Sequence, residues 1–307
     1  MAPSATAEFD ALKPTPHGAD NTNNIEGLDP KFTANVINAI GPKASPRVRQ
    51  VFSSMIQHIH DFARENQITV DEWMQGVQLM NWAGKMSDEK RNEGQLVCDV
   101  LGLESLVDAI TFKLASQAGD TATASAILGP FFRHDAPLLE NESSIVHGVD
   151  DGEVTYMHGR VIDMKTNKPI ANAYIDVWQA STNGLYEQQD ENQVEHNLRG
   201  KFKTDADGRY AYYCLRPTPY PVPNDGPAGK ILELLDRHPM RPAHIHLIVV
   251  AEGYKPVTTQ IFDRIDPHLT DDSVFAVKDS LIVDFVPIKN NPKATLELEY
   301  NIALVPN

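Results

Sequence analysis

Cysteine is nearly absent: Cys98 and Cys214 are the only two in 307 residues. Two thiols cannot build the disulfide framework of a secreted scaffold, and they suit a reducing cytoplasm. Positive charge is also short. Lys and Arg number 27 against 42 Asp and Glu, which leaves a net charge of −15. That balance excludes nucleic acid as a partner, because neutralising phosphates needs clustered cations. An anionic ligand must therefore be held by local cations or by a metal. No apolar run approaches the roughly 20 residues of a membrane span, so no membrane association is expected. The opening Met-Ala-Pro-Ser-Ala-Thr-Ala-Glu-Phe-Asp has neither a basic nor an apolar region, and no arginine precedes Arg47. No signal or transit peptide is expected there.

What is present is an ordinary globular composition, 41% hydrophobic and 22% charged, in a chain long enough for a sizeable core. Residues 1–28 are polar and punctuated by Pro, Gly and Asn, and read as a mobile arm. Asp29-Pro30 reads as a helix cap with Pro at the first helical position. From Pro46 to Gln67, the apolar residues Val48, Val51, Phe52, Met55, Ile56, Ile59 and Phe62 recur at three- and four-residue steps. That is one face of an amphipathic helix. His58 and His60 fall off this stripe and are expected in solvent. Thr69-Val70-Asp71-Glu72 reads as a capping box for the next helix. Ser87 is expected to open another, running through Leu96 and Cys98 to Gly102, followed by a short apolar helix over 106–114.

After about Gln117 the pattern changes to short strand-like runs bounded by turn residues. They cover 153–163, 173–179, 202–215 with a break at Asp205-Ala206-Asp207-Gly208, 243–251, 258–262, 281–285 and 295–303. The expected fold class is α+β: an arm over 1–28, a helical domain over 29–117, and a β-sandwich domain over 118–307.

The chemistry concentrates near the end of a proline-rich stretch. His244 and His246 are two apart in a β-branched run, so a strand would aim both imidazoles to one side. A metal pair needs that arrangement, although two partly exposed strand histidines would give the same pattern. Tyr220 is flanked by Pro219 and Pro221, which keep it out of helical conformations. Tyr186 follows a Gly turn at Gly184.

Taken in order, Gly184-Leu185-Tyr186, Pro219-Tyr220-Pro221 and Arg241-Pro242-Ala243-His244-Ile245-His246 resemble the intradiol ring-cleaving dioxygenases. Gln57-His-Ile-His-Asp-Phe62, Ile68-Thr-Val-Asp-Glu-Trp73 and Leu128-Gly-Pro-Phe131 are similar to further motifs of that family. The resemblance runs from about residue 30 to residue 290. The stretch Pro217-Thr-Pro-Tyr-Pro-Val-Pro-Asn-Asp-Gly-Pro227 is most like the hydroxyquinol 1,2-dioxygenase branch, with catechol and chlorocatechol enzymes as near relatives.

This resemblance implies non-haem Fe(III) held by Tyr186, Tyr220, His244 and His246. Phenolate is a hard anion suited to a small, highly charged cation, and two tyrosinates with a hydroxide would neutralise it. The implied substrates are O2 and a small aromatic diol, whose proton passes to a displaced Tyr220. The implied product is a cis,cis-muconate-type diacid, or maleylacetate when hydroxyquinol is cleaved. Arg241 is implied to stabilise charge developing on the ring, and Gln260 to orient a histidine or the bound ligand. The implied pocket comprises Leu96, Asp99, Ile127, Gly129, Pro130, Phe131, Val222, Pro223 and Val274. An Asp99 carboxylate there would favour hydroxyquinol by bonding a third ring hydroxyl. The family likeness also implies a homodimer through the N-terminal helices, able to enclose a lipid.

Three other readings compete. A cupin-like metal site would use the His pair, with Glu252 or His268 as a further ligand. Extradiol cleavage would want two histidines and a carboxylate on Fe(II). Both leave the tyrosine motifs without a task. A non-enzymatic β-sandwich binding module would not explain the helical third.

Overall fold

A computed structural model describes residues 29–115, 122–148 and 151–307; the arm expected over 1–28 lies outside them. The chain divides into two compact units, one ending at Asn81 and one beginning at Trp82. The helices are α1 (Phe32–Asn38), α2 (Pro46–Glu65), α3 (Val70–Met86), α4 (Glu93–Val100) and α5 (Leu103–Ala115). Strands β1 (Val154–Asp163), β2 (Tyr174–Trp178), β3 (Arg199–Lys203), β4 (Arg209–Leu215) and β5 (Tyr220–Pro221) follow. After α6 (Pro227–Leu234) come β6 (Met240–Arg241), β7 (His244–Val250), β8 (Val257–Asp263), β9 (Ile282–Val283), β10 (Val286–Pro287), β11 (Leu296–Glu299) and β12 (Ile302–Leu304). Helices followed by a sheet-rich region make the α+β class.

Local chemistry explains the helix ends. Ser45 accepts from Val48 N ahead of Pro46, which opens α2. The capping box forms as read: Thr69 N donates to Glu72 Oε2 at 2.8 Å, and Glu72 N donates to Thr69 Oγ1 at 3.3 Å. Two starts differ from expectation. Ser87 does not open α4, because its hydroxyl closes α3 by donating to Ala83 O and also accepts from Glu93 N. Asn92 is the cap instead, accepting from Gln95 N at 3.0 Å. Asp29 likewise stands ahead of α1 and bonds Lys31 N, and the helix begins only at Phe32. His60 is half-buried rather than solvated, since it stacks on Phe32 and bonds Thr33 Oγ1.

The strands form two five-stranded sheets and one two-stranded ribbon. In the first sheet β1 pairs antiparallel with β4 and parallel with β11 and β12. The single run expected over 295–303 is broken because Asn301 Oδ1, not a backbone carbonyl, accepts from Arg160 N. The second sheet has the order β3-β2-β7-β8-β9. The core holds Met157, Val161, Ile175, Val177, Phe202, Tyr212, Ile245, Leu247, Val249 and Ile261.

The odd-numbered residues of β7 fill that core. Alternation therefore sends His244 and His246 to the other face of the sheet. Trp178 stands opposite His246 on β2, and Gln260 and Phe262 stand opposite His246 and His244 on β8. One side of the second sheet is thus core, and the other is a platform of polar and aromatic side chains. No described helix is long and apolar enough to cross a membrane.

Candidate active site

A loop and the two-stranded ribbon bring tyrosines onto this platform. Tyr186 follows Gly184, whose φ of +80° belongs to the left-handed region. A Cβ at Gly184 would lie 3.1 Å from Cβ of Tyr220, so only glycine lets the two tyrosine loops approach this closely. Tyr220 sits on the ribbon, directly opposite Arg241. The result is a continuous chain of donor atoms. Tyr186 Oη lies 3.2 Å from Tyr220 Oη, Tyr220 Oη lies 3.3 Å from His244 Nε2, and His244 Nε2 lies 3.1 Å from His246 Nε2.

All four side chains are buried. Burial, and for Tyr186 the neighbouring Tyr220, raises both phenols above their ordinary range. Burial also drives both histidines well below theirs, helped by Arg241 beside His244 and by His244 beside His246. The imidazoles are therefore neutral, with lone pairs to offer. His244 Nδ1–H donates to Pro242 O at 2.6 Å, which turns Nε2 toward the cluster. His246 Nδ1 has no hydrogen-bond partner among the described residues; its ring is held instead by stacking on Trp178 at 4.7 Å and 9°.

The donor set fits a metal ion. Atoms bound to one cation at about 2 Å stand roughly 3 Å apart, the spacing found here. Two buried phenols and two neutral imidazoles also leave no negative charge until a cation draws the phenol protons off. Gly129 guards the same geometry: its φ is +73°, and a Cβ would lie 3.1 Å from His246 Cε1. Gly129→Ala is expected to combine backbone strain of about 1–2 kcal/mol with pressure on the His246 ring. Thermal unfolding should show a Tm several degrees lower, and an unchanged Tm would contradict this account.

Arg241 is buried within the second unit rather than paired at the surface. Its Nη1 lies 3.0 Å from His244 Nε2, Nη2 donates to Gln260 Oε1 at 2.8 Å, and Nε donates to Asp272 Oδ1 at 3.2 Å. Gln260 stands beside His246 on the neighbouring strand but makes no hydrogen bond to a histidine among the described residues. It bonds Arg241 through Oε1 and donates from Nε2 to Ile127 O at 2.7 Å.

Of the expected pocket residues, Leu96, Ile127, Val222 and Val274 share one apolar cluster, and Phe131 packs with Tyr186, Tyr220 and Trp178 in another. Gly129 is buried, while Pro130 and Pro223 are half-buried. Asp99 is buried one turn from Leu96 on α4, and its Oδ1 has no hydrogen-bond partner among the described residues. Burial, with a hydrogen bond to Glu104, pushes its pKa up to about 9. The neutral acid is thereby favoured over the carboxylate expected from the sequence.

The cupin-like set does not form. Glu252 is exposed, and His268 bonds Asp271 in a separate surface cluster with His238. Sequence reasoning missed Asp272, the Trp178 stack and the buried Arg199–Glu187 pair, where Arg199 Nε lies 2.7 Å from Glu187 Oε2. Each joins residues distant in the chain or hidden among turn residues.

A sandwich carrying two tyrosines and two histidines on one sheet face, preceded by a helical third, is matched by known proteins throughout. The family model described as "Dioxygenase" matches residues 127–306, and that of the catechol dioxygenase N terminus matches residues 45–119. An intradiol ring-cleavage dioxygenase of Aspergillus niger is 52% identical, over 90% of this chain and 88% of the relative. A catechol 1,2-dioxygenase of Candida albicans is 46% identical, over 89% of this chain and 91% of the relative. The solved hydroxyquinol 1,2-dioxygenase of Pseudomonas putida DLL-E4 superposes with a TM-score of 0.80 at 33% identity, covering 90% of this chain and 98% of that one. This chain belongs to the intradiol ring-cleavage dioxygenases. It is accordingly an oxidoreductase acting on catechol-type diols.

Proposed function

We propose that the chain holds one ferric ion on Tyr186, Tyr220, His244 and His246 and cleaves hydroxyquinol between its adjacent hydroxyls. Both atoms of O2 enter the product, which is maleylacetate by way of its 3-hydroxy-cis,cis-muconate tautomer. The observation that carries the iron assignment is the buried run of four donor atoms at 3.1–3.3 Å. Ferric iron held by these four side chains would supply Lewis acidity toward the diol.

The remaining work falls to protein groups. Tyr220 Oη, opposite Arg241 on the ribbon, takes a proton from the incoming diol. Arg241 Nη1, 3.0 Å from His244 Nε2, is placed to face charge developing on the ring. Leu96, Ile127, Val222 and Val274 exclude water from the ring edge.

The substrate choice rests on Asp99. Its unpartnered Oδ1 lies in the helix turn that also contributes Leu96 to the pocket wall, and it can accept from a third ring hydroxyl. Because the neutral acid is favoured at Asp99, this bond is worth about 0.5–1.5 kcal/mol rather than the larger value of a charged pair. We expect Asp99→Ala to lower kcat/KM for hydroxyquinol by roughly two- to tenfold while sparing catechol. Oxygen uptake with hydroxyquinol, catechol and chlorocatechols on both proteins tests it. An unchanged ratio favours the second reading, a catechol 1,2-dioxygenase giving cis,cis-muconate, which the Candida albicans relative supports.

The proposal extends to a cytoplasmic homodimer. Both cysteines are free, and the apolar stripe of α2 is exposed, with Met55 at 43% and Ile59 at 55%. Such a stripe is more than a lone helix leaves in water. Replacing Met55 and Ile59 together by Asp should convert dimer to monomer in light scattering. A wild-type monomer at micromolar concentration would rule the dimer out.

A further inference from the structure

Asp272 is a buried carboxylate for which the reaction as described has no use. It is 4% exposed and accepts four hydrogen bonds. Oδ1 accepts from Arg241 Nε at 3.2 Å and from Val274 N at 3.2 Å. Oδ2 accepts from Arg241 Nη2 at 3.3 Å and from Ala276 N at 3.0 Å. A carboxylate has about four lone-pair sites, so this one is saturated. Two of them grip the guanidinium edge-on and two grip the backbone of the loop that carries Val274.

The consequence for Arg241 is geometric. A guanidinium has five N–H donors in one rigid plane. Asp272 takes Nε–H and one hydrogen of Nη2, and Gln260 Oε1 takes the other at 2.8 Å. Only Nη1 remains, and it points to His244 Nε2. Gln260 is itself tied to Ile127 O, so the plane is braced from β8 and from the 272–276 loop. The loop end is braced as well, because Arg237 donates to Ser273 O and its guanidinium lies 4.6 Å over the Phe275 ring. Phe275 holds a φ of +58° within that loop.

We propose that Asp272 is the positioning residue that sets the Arg241 plane, so that Nη1 alone is presented to the substrate ring, and that it locks Val274 into the pocket wall in the same contact. The proposal rests on the reading in which His244 binds metal and Arg241 faces the ring. Through this carboxylate, charge stabilisation and ring shape are adjusted together: any movement of the 272–276 loop rotates the arginine.

The test is a double-mutant cycle of Asp272→Asn and Arg241→Lys, with activity expressed per iron bound. Lysine keeps a charge for Asp272 but has no plane to orient. In the wild-type background Asp272→Asn should lower kcat about ten- to a hundredfold. In the Arg241→Lys background it should change kcat less than about twofold. Equal losses in both backgrounds would mean a structural role only, and an unchanged kcat in the wild-type background would overturn the proposal. A second readout needs no turnover. In metal-free protein the Arg241 Nε–H proton should exchange slowly by NMR, and quickly after Asp272→Asn; continued protection would also overturn it. Should Asp272→Asn fail to fold, Asp272→Glu takes its place in both measurements, since it keeps the charge and shifts it by one methylene. Failure of the functional reading itself would appear differently, as wild-type protein without iron or turnover and with the exchange result intact.

Discussion

Tyr186→Phe is expected to bleach the purified protein, empty its metal site and abolish ring cleavage. The change removes one oxygen and little else. Phenylalanine keeps the ring stacked on Phe131, 4.6 Å away, and keeps the burial. What disappears is the end of the donor chain that reaches Tyr220 Oη at 3.2 Å. Loss of an outer partner of a metal ligand costs about 10–100-fold in affinity or activity, and loss of the ligand itself should exceed that. His244→Ala should behave alike, with the added release of Arg241 Nη1. Iron per chain, the visible tyrosinate band and oxygen uptake are the measurements. Wild-type protein that keeps full turnover after iron is stripped would sink the assignment.

Arg199→Ala carries the largest expected cost in stability. Arg199 and Glu187 are 1% and 2% exposed, and Arg199 Nη2 also bonds Gln188 Oε1 at 2.6 Å. Breaking a buried pair by removing one partner leaves the other charge uncompensated, at about 3–5 kcal/mol. Arg133, 3.1 Å from Glu187, moderates that loss, so the low end is expected. A Tm drop of about 6–12 °C should follow. The damage should also reach the chemistry, because Glu187 adjoins Tyr186 and the Arg199 guanidinium lies 5.7 Å from the Tyr186 ring. Calorimetry beside the visible spectrum checks both parts. An unshifted Tm would show the pair to be dispensable.

The parts of this site that were legible in the sequence are those written in short-range geometry. Period-two alternation assigns His244 and His246 to one face, and the Thr69–Glu72 spacing predicts its own capping box. Relations between distant residues were not legible. Asp272 lies 31 residues beyond Arg241 within Asp271-Asp272-Ser273, where turn chemistry is sufficient reason for an aspartate. The start of α4 was misread because Ser87 and Asn92 are both good caps, and only the Ala83 contact of Ser87 decides between them. Asp99 was read as an ionised residue beside Leu96 on one helix face; it is buried there on α4, and its surroundings favour the neutral acid. Ionisation depends on burial and on Glu104, five positions away across a helix break. The tyrosines stood out by family likeness, since nothing in a Gly turn or a Pro-Tyr-Pro triplet specifies a ligand.

The ribbon that sets Tyr220 opposite Arg241 also encloses a detour. Val222 N donates to Pro239 O at 2.9 Å, so the chain leaves and re-enters at one closed neck. Between these residues lies α6, fastened to α4 where Glu93 Oε1 accepts from Ala228 N at 3.1 Å. The neck holds the reactive pair in register whatever the length of the detour. Substitutions or insertions at the exposed positions 233–236 should therefore leave the tyrosines and histidines in place, whereas Ala228, Leu232 and Arg237 are tied to the pocket cluster and to the 272–276 loop. The exposed end of the detour and the ribbon can thus change separately, by descent or by engineering.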